Sequence, residues 1–148
     1  MNLIAILAEN IKSNQKNQWY SFLQNEKFLV EKHFDWLSLN INIESKSIIG
    51  KGTLNMAGKS YIILLSYSPY HSYRYDRIYI QDSSIEYNND IHLYWDKSLC
   101  LYHPKFDKPL LNTIPLYKMI PWISEWIVFY EQWKKYGVWL GDEIKHSL

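Results

Sequence analysis

The chain holds one cysteine, Cys100, among 148 residues. A lone thiol excludes an intramolecular disulfide, and with it the small secreted scaffold stapled by cross-links. An excess of charge of one sign is also missing. Lys and Arg number 16 against 15 Asp and Glu, a net charge of +1, so no global field favours nucleic acid or an acidic membrane surface. No apolar run approaches the ~18 residues that a bilayer-spanning helix needs. Glycine is scarce, with five residues, and none builds a Walker-type phosphate loop. Gly50-Lys51-Gly52 lacks both the third glycine and the following helix of a dinucleotide cradle. No cofactor is expected, and any ATP-driven activation of a carboxylate is expected to reside in another protein. The opening Met1-Asn2-Leu3-Ile4-Ala5-Ile6-Leu7-Ala8-Glu9 has no basic region ahead of its apolar residues. It reads as a short amphipathic helix rather than a signal peptide, and the expected location is the cytoplasm.

What is abundant is aromatic. Seven Trp and 13 Tyr contribute to an aromatic content of 17%, enough to fill the core of a single domain over residues 1–148 and to leave aromatic surface for partners. Leu3, Ile4, Leu7 and Ile11 keep helical spacing, and a looser apolar segment with Phe22, Leu23 and Phe28 follows. The period then changes. Leu37, Leu39, Ile41 and Ile43 alternate with polar residues, as in a half-buried strand. Ile48–Met56 reads as a second strand, with Gly50 and Gly52 marking a bulge or a close backbone approach. Tyr61–Ser68 and Arg77–Gln81 read as a third and a fourth. The short connections demand an antiparallel meander. Residues 82–115 lack periodicity. Pro121 is expected to open a helix in which Trp122, Trp126, Phe129 and Trp133 form the core face. Glu131 and Lys135 are placed to pair, Gly137 to stop the helix, and Trp139 to pack on the sheet. The Tyr-rich stretch Tyr67–Tyr75 could stack single-stranded bases, but few lysines accompany it, so a packed or protein-contacting loop is favoured and no nucleic acid partner is expected.

Cys100 lies between two imidazoles, with His92 eight residues before it and His103 three after. A thiol becomes a nucleophile when positive charge or hydrogen bonds stabilise its anion. Either histidine could assist with proton movement, and Asp96 or Asp107 could orient an imidazole or polarise an incoming amine. The opposing reading is an inert buried cysteine, the commoner fate of a free thiol. Metal ligation is disfavoured, because one thiol with histidines at these spacings does not match a zinc site.

The order of helix, four-strand meander, irregular cysteine segment and helices resembles the ubiquitin-conjugating (E2) fold. Leu99-Cys100-Leu101 keeps the apolar flanks of the E2 cysteine, and His92 stands eight residues before it, where eukaryotic members place the Asn of His-Pro-Asn. The chain is more closely similar to E2-like proteins of type II CBASS antiphage systems, in the E2-only form. The residues that carry this likeness are His92, Tyr94, Asp96, Ser98–Tyr102 and Pro104, then Ile120-Pro121-Trp122, Glu125-Trp126, Tyr130-Glu131, Trp133, Gly137 and Trp139-Leu140-Gly141. The resemblance covers Gly50 to the end. It implies an α+β fold with a four-stranded antiparallel meander between N-terminal and C-terminal helices. It also implies that Cys100 carries an acyl group as a thioester. The implied partners are a cGAS-like nucleotidyltransferase (CD-NTase), joined through its C-terminus, and an acceptor protein. His-Pro-Asn is absent, so the oxyanion role of its Asn has no counterpart, and His92 either replaces it or pins the loop. The rival functions are a catalytically silent binding or scaffold module of the same fold and a thiol hydrolase.

Overall fold

A computed structural model describes residues 2–102 and 114–139 of the chain. The element order is α1 (Leu3–Asn17), α2 (Trp19–His33), β1 (Leu37–Asn42), β2 (Ser47–Met56), β3 (Lys59–Tyr67), β4 (Asp76–Ile80) and α3 (Leu116–Tyr136). The strands pair antiparallel in chain order, β1-β2-β3-β4. The expected α+β class and the ubiquitin-conjugating-like meander flanked by helices are therefore present.

Alternation makes the sheet one-sided. Leu37 and Leu39 of β1, Tyr61, Ile63, Leu65 and Tyr67 of β3, and Ile78 and Ile80 of β4 all enter one apolar cluster. The β1–β2 turn is closed by Asn42, whose side-chain oxygen accepts the Ser45 N–H at 2.9 Å, with Lys46 at φ 52°. The β2–β3 turn places Ala57 (φ 50°) and Gly58 (φ 79°) in the left-handed region, the backbone that matches the twist of a two-residue hairpin. Gly50 and Gly52 mark a close approach and not a bulge. The register runs unbroken from Ile48↔Tyr67 to Met56↔Lys59. A Cβ on Gly50 would meet the Leu39 side chain, and one on Gly52 the Trp36 carbonyl.

Several expectations about the helices need correction. The looser segment before the sheet is the regular 15-residue helix α2, which buries Leu23, Glu26 and Val30. A carboxylate on the inward stripe masks its period. The second correction concerns α3, which begins at Leu116 and holds Pro121 inside it. Glu26 explains the earlier start, since its carboxylate accepts the Leu116 N–H at 3.2 Å and satisfies one of the orphan donors at the helix opening. The buried face of α3 is Leu116, Met119, Ile120, Ile123, Trp126, Ile127 and Tyr130. Of the expected Trp stripe only Trp126 is central, while Trp122, Phe129 and Trp133 pack half-buried at the margin. Glu131 pairs with Lys134 (3.0 Å) and Lys59 (2.9 Å) rather than Lys135. Gly137 ends the helix at φ 75°, its N–H donating to the Trp133 carbonyl at 2.7 Å. Among the described residues no helix is long and apolar enough to cross a membrane.

Candidate active site

From residue 81 to residue 102 the chain is irregular, yet hydrogen bonds hold it closely. Leu93 and Leu99 form an isolated antiparallel bridge that closes a tight hairpin. Inside it the Tyr94 N–H donates to the Ser98 carbonyl (2.9 Å) and the Lys97 N–H to the Tyr94 carbonyl (2.8 Å), with Lys97 at φ 72°. Asp96 stabilises the turn by accepting both the Ser98 N–H (2.9 Å) and the Ser98 hydroxyl (2.6 Å), a side chain closing a turn on its own backbone. The Leu99 N–H then donates to the Ile78 carbonyl of β4 at 2.7 Å. This bond fixes the following residue, Cys100, against the sheet margin.

His92 and Cys100 meet through the backbone. The His92 carbonyl accepts the Cys100 N–H (3.0 Å) and the Trp126 indole N–H (3.0 Å), so it ties the cysteine segment to α3. The His92 ring stacks on Trp139, with centroids 4.9 Å apart and planes 12° off parallel. Trp139, expected on the sheet, thus packs against His92, Trp126 and Phe129. His103, Asp107 and the Leu140-Gly141 ending lie outside the described residues.

Cys100 is 6% exposed, and its thiol donates to the Tyr102 carbonyl at 3.3 Å. Burial pushes the thiol up to about 11, against a downward pull from the Tyr94 hydroxyl and the Arg74 guanidinium, while Asp76 adds to the rise. These neighbours form a buried polar cluster that sequence reasoning did not assemble. Arg74 lies with its guanidinium carbon 3.4 Å from the centre of the Tyr94 ring, donates to the Ser98 hydroxyl, and sits 3.7 Å from Asp76 and 3.8 Å from Asp96. Asp76, 1% exposed, accepts the Tyr102 hydroxyl at 2.8 Å. Burial holds its carboxyl above the usual range, although Tyr102 and Arg74 oppose the shift. Arg77 braces the loop by donating to the Arg74 and Asp76 carbonyls at 2.7 and 2.8 Å. Asp96, expected to orient an imidazole or polarise an amine, is engaged by Ser98 and Arg74.

Tyr94, Asp96, Ser98 and Tyr102 all belong to the motif read around the cysteine. Arg74 had a weaker signal, as the single arginine inside the Tyr-rich stretch. Asp76 had none, because an acid at a strand start is ordinarily exposed. Among the described residues no group of three or more His, Cys, Asp and Glu side chains is arranged to hold a metal ion.

The arrangement presents one thiol in a backbone-pinned segment, with the Arg74 cation, the Tyr94 phenol and the Asp76 carboxylate acting on it. The cation and the phenol favour a sulfur anion, and burial opposes it. The family model for type II CBASS E2 proteins (E2-CBASS) matches residues 26–147, which include most of α2, the whole sheet, the Cys100 segment and α3. No curated protein and no solved structure gives a significant match. With the meander, the pinned cysteine segment and this match over most of its length, the chain belongs to the type II CBASS E2 proteins and has an E2-like role in CBASS defence.

Proposed function

We propose that Cys100 accepts the C-terminal carboxyl of a protein partner as a thioester and passes it to an amine, the ε-amino group of a lysine in an acceptor protein. The partner is a cGAS-like nucleotidyltransferase, as the sequence resemblance implies. In the first step the Cys100 sulfur attacks an activated carbonyl carbon, an S–C bond forms, the activating group departs, and the thiol proton passes to a base. In the second step the amine nitrogen attacks the same carbon, an amide forms, and the sulfur leaves and regains a proton. His92 or His103 moves or orients that proton. Backbone N–H groups near Cys100 receive the oxyanion.

The observation that carries this reading is the thiol itself. It belongs to the segment that the family model matches, and the Cys100 backbone N–H is tied to the His92 carbonyl at 3.0 Å. Burial raises the thiol to about 11, so it is mostly protonated at neutral pH and its attack on a carbonyl requires a base to take the proton. One observation favours the silent binding module instead, namely the 6% exposure of Cys100. Loading requires a local rearrangement that brings the sulfur to a carbonyl.

Co-expression with the nucleotidyltransferase separates the readings. A carrier gives an adduct of partner size on a non-reducing gel that thiol reductant removes. Cys100→Ser traps the adduct as a reductant-resistant ester, and Cys100→Ala gives none. A stable complex with no adduct in the unsubstituted chain establishes the binding module. Turnover of a pre-made conjugate establishes the hydrolase.

A further inference from the structure

We infer that Tyr94 is the hydrogen-bond donor to the Cys100 sulfur anion and that Arg74, stacked on the Tyr94 ring, is the positioning residue that aims it and supplies the counter-charge. This deepens the thioester reading and rests on it for its use in acyl transfer, but its test does not.

The argument starts from the resting thiol. Its proton points to the Tyr102 carbonyl at 3.3 Å. A carbonyl only accepts, so that bond exists for the neutral thiol and is lost when the proton leaves. The anion that remains is buried, and a donor aimed at it lowers the high cost of a buried charge. Among the described residues, the side chains acting on the sulfur include the Tyr94 hydroxyl, Arg74 and Asp76. Asp76 repels a sulfur anion. The Tyr102 hydroxyl is already committed to Asp76 at 2.8 Å. The Tyr94 hydroxyl is buried, interacts with the Cys100 side chain, and has no other partner among the described residues. It is therefore available when negative charge appears.

Arg74 cannot move to the sulfur without breaking its own contacts. It donates to the Ser98 hydroxyl, faces Asp76 at 3.7 Å and Asp96 at 3.8 Å, and covers the Tyr94 ring at 3.4 Å. It acts through the ring, where a cation over a phenol makes the hydroxyl a stronger donor and fixes its direction. Tyr94 itself is set by the hairpin, whose Tyr94–Ser98 bond of 2.9 Å and Asp96–Ser98 bonds leave the backbone no freedom. The β3–β4 loop and the cysteine hairpin thus meet at one stacked pair beside the sulfur.

Because Cys100 is the only cysteine, a ¹³C label on the cysteine β-carbon gives one resonance whose shift reports thiol ionisation directly. The full-length unsubstituted chain is titrated alongside Tyr94→Phe, Arg74→Lys and Arg74→Gln, with no partner present. Tyr94→Phe raises the midpoint by about one pH unit, equal to a tenfold loss of thiolate at fixed pH. Arg74→Gln raises it as well, and Arg74→Lys, which keeps the charge and loses the planar stack, falls between. A merely structural role lowers the midpoint, because loosened packing hydrates the thiol. Coincident or lowered midpoints for folded Tyr94→Phe overturn the inference, and if Arg74→Gln does not fold, Tyr94→Phe and Arg74→Lys decide. An unsubstituted chain that forms no adduct while Tyr94→Phe still shifts the midpoint sinks only the thioester reading. Adduct formation with coincident midpoints sinks only this inference.

Discussion

Arg74 and Asp76 pull the Cys100 thiol in opposite directions, and both are charged groups that β4 and its preceding loop bring within one buried cluster. Asp76→Asn removes the repulsion while keeping an oxygen for the Tyr102 hydroxyl. The expected outcome is a lower thiol midpoint, opposite in sign to the shift in Tyr94→Phe, read from the same cysteine resonance. Cys100→Ala removes a small buried group and is expected to cost only about 1 kcal/mol of unfolding free energy. A urea titration of that variant checks whether a missing adduct reflects lost chemistry or a lost fold. At this scale the cysteine, His92 and Tyr94 were visible in the chain because they lie within nine consecutive residues. The nearness of Arg74 and Asp76 to the sulfur was not, because it depends on strand pairing between segments more than 20 residues apart.

The opening of α3 shows how one buried acid sets an element. Glu26 of α2 is 6% exposed and accepts the Leu116 N–H. The backbone bond favours its charged form, as does a position at a helix N-terminus, but burial outweighs them and raises the carboxyl from 4.5 to about 7. Between those values the folded chain holds a proton that the unfolded chain has released. Stability therefore falls as pH rises through this window and levels off above it, by up to about 3 kcal/mol. Glu26→Gln keeps an oxygen for Leu116 and cannot ionise. Its urea midpoint is expected to stay flat from pH 5 to 8, crossing above that of the unsubstituted chain at the alkaline end. The sheet offers a steric counterpart. Gly52→Ala drives a Cβ into the Trp36 carbonyl, which is backbone and cannot rotate aside, and is expected to lower stability by about 1–3 kcal/mol in the same titration. The meander was readable from period-two alternation, whereas α2 was not, because Glu26 stands on its inward stripe where an apolar residue is expected.

Across the whole molecule the helices are unequal. Helix α1 buries none of its residues, and Leu3, Ile4, Ile6 and Leu7 are between 37% and 67% exposed. Its C-terminal part is held at the rim by the Tyr75 hydroxyl on the Gln15 side chain (2.7 Å) and the Tyr70 hydroxyl on the Lys16 carbonyl (3.0 Å). The family match begins at residue 26, beyond α1. Leu7→Ser is accordingly expected to change unfolding free energy by no more than about 0.5 kcal/mol. Ile123→Ala, at a fully buried position of α3, is expected to cost about 2–5 kcal/mol. Thermal melts of the two variants measure the contrast.

Local order alone was enough to specify the antiparallel meander, the stop at Gly137 and the identity of the one thiol. Each follows from a period, a φ preference or a residue type acting on near neighbours. Long-range packing decided the rest: the inward Glu26, the start of α3 ahead of Pro121, the stacking of His92 on Trp139, and the Arg74–Asp76–Tyr94 cluster at Cys100. Those features depend on desolvation and on charges brought together across the fold. Neither quantity exists along an extended chain, where water screens every charge and no side chain is covered.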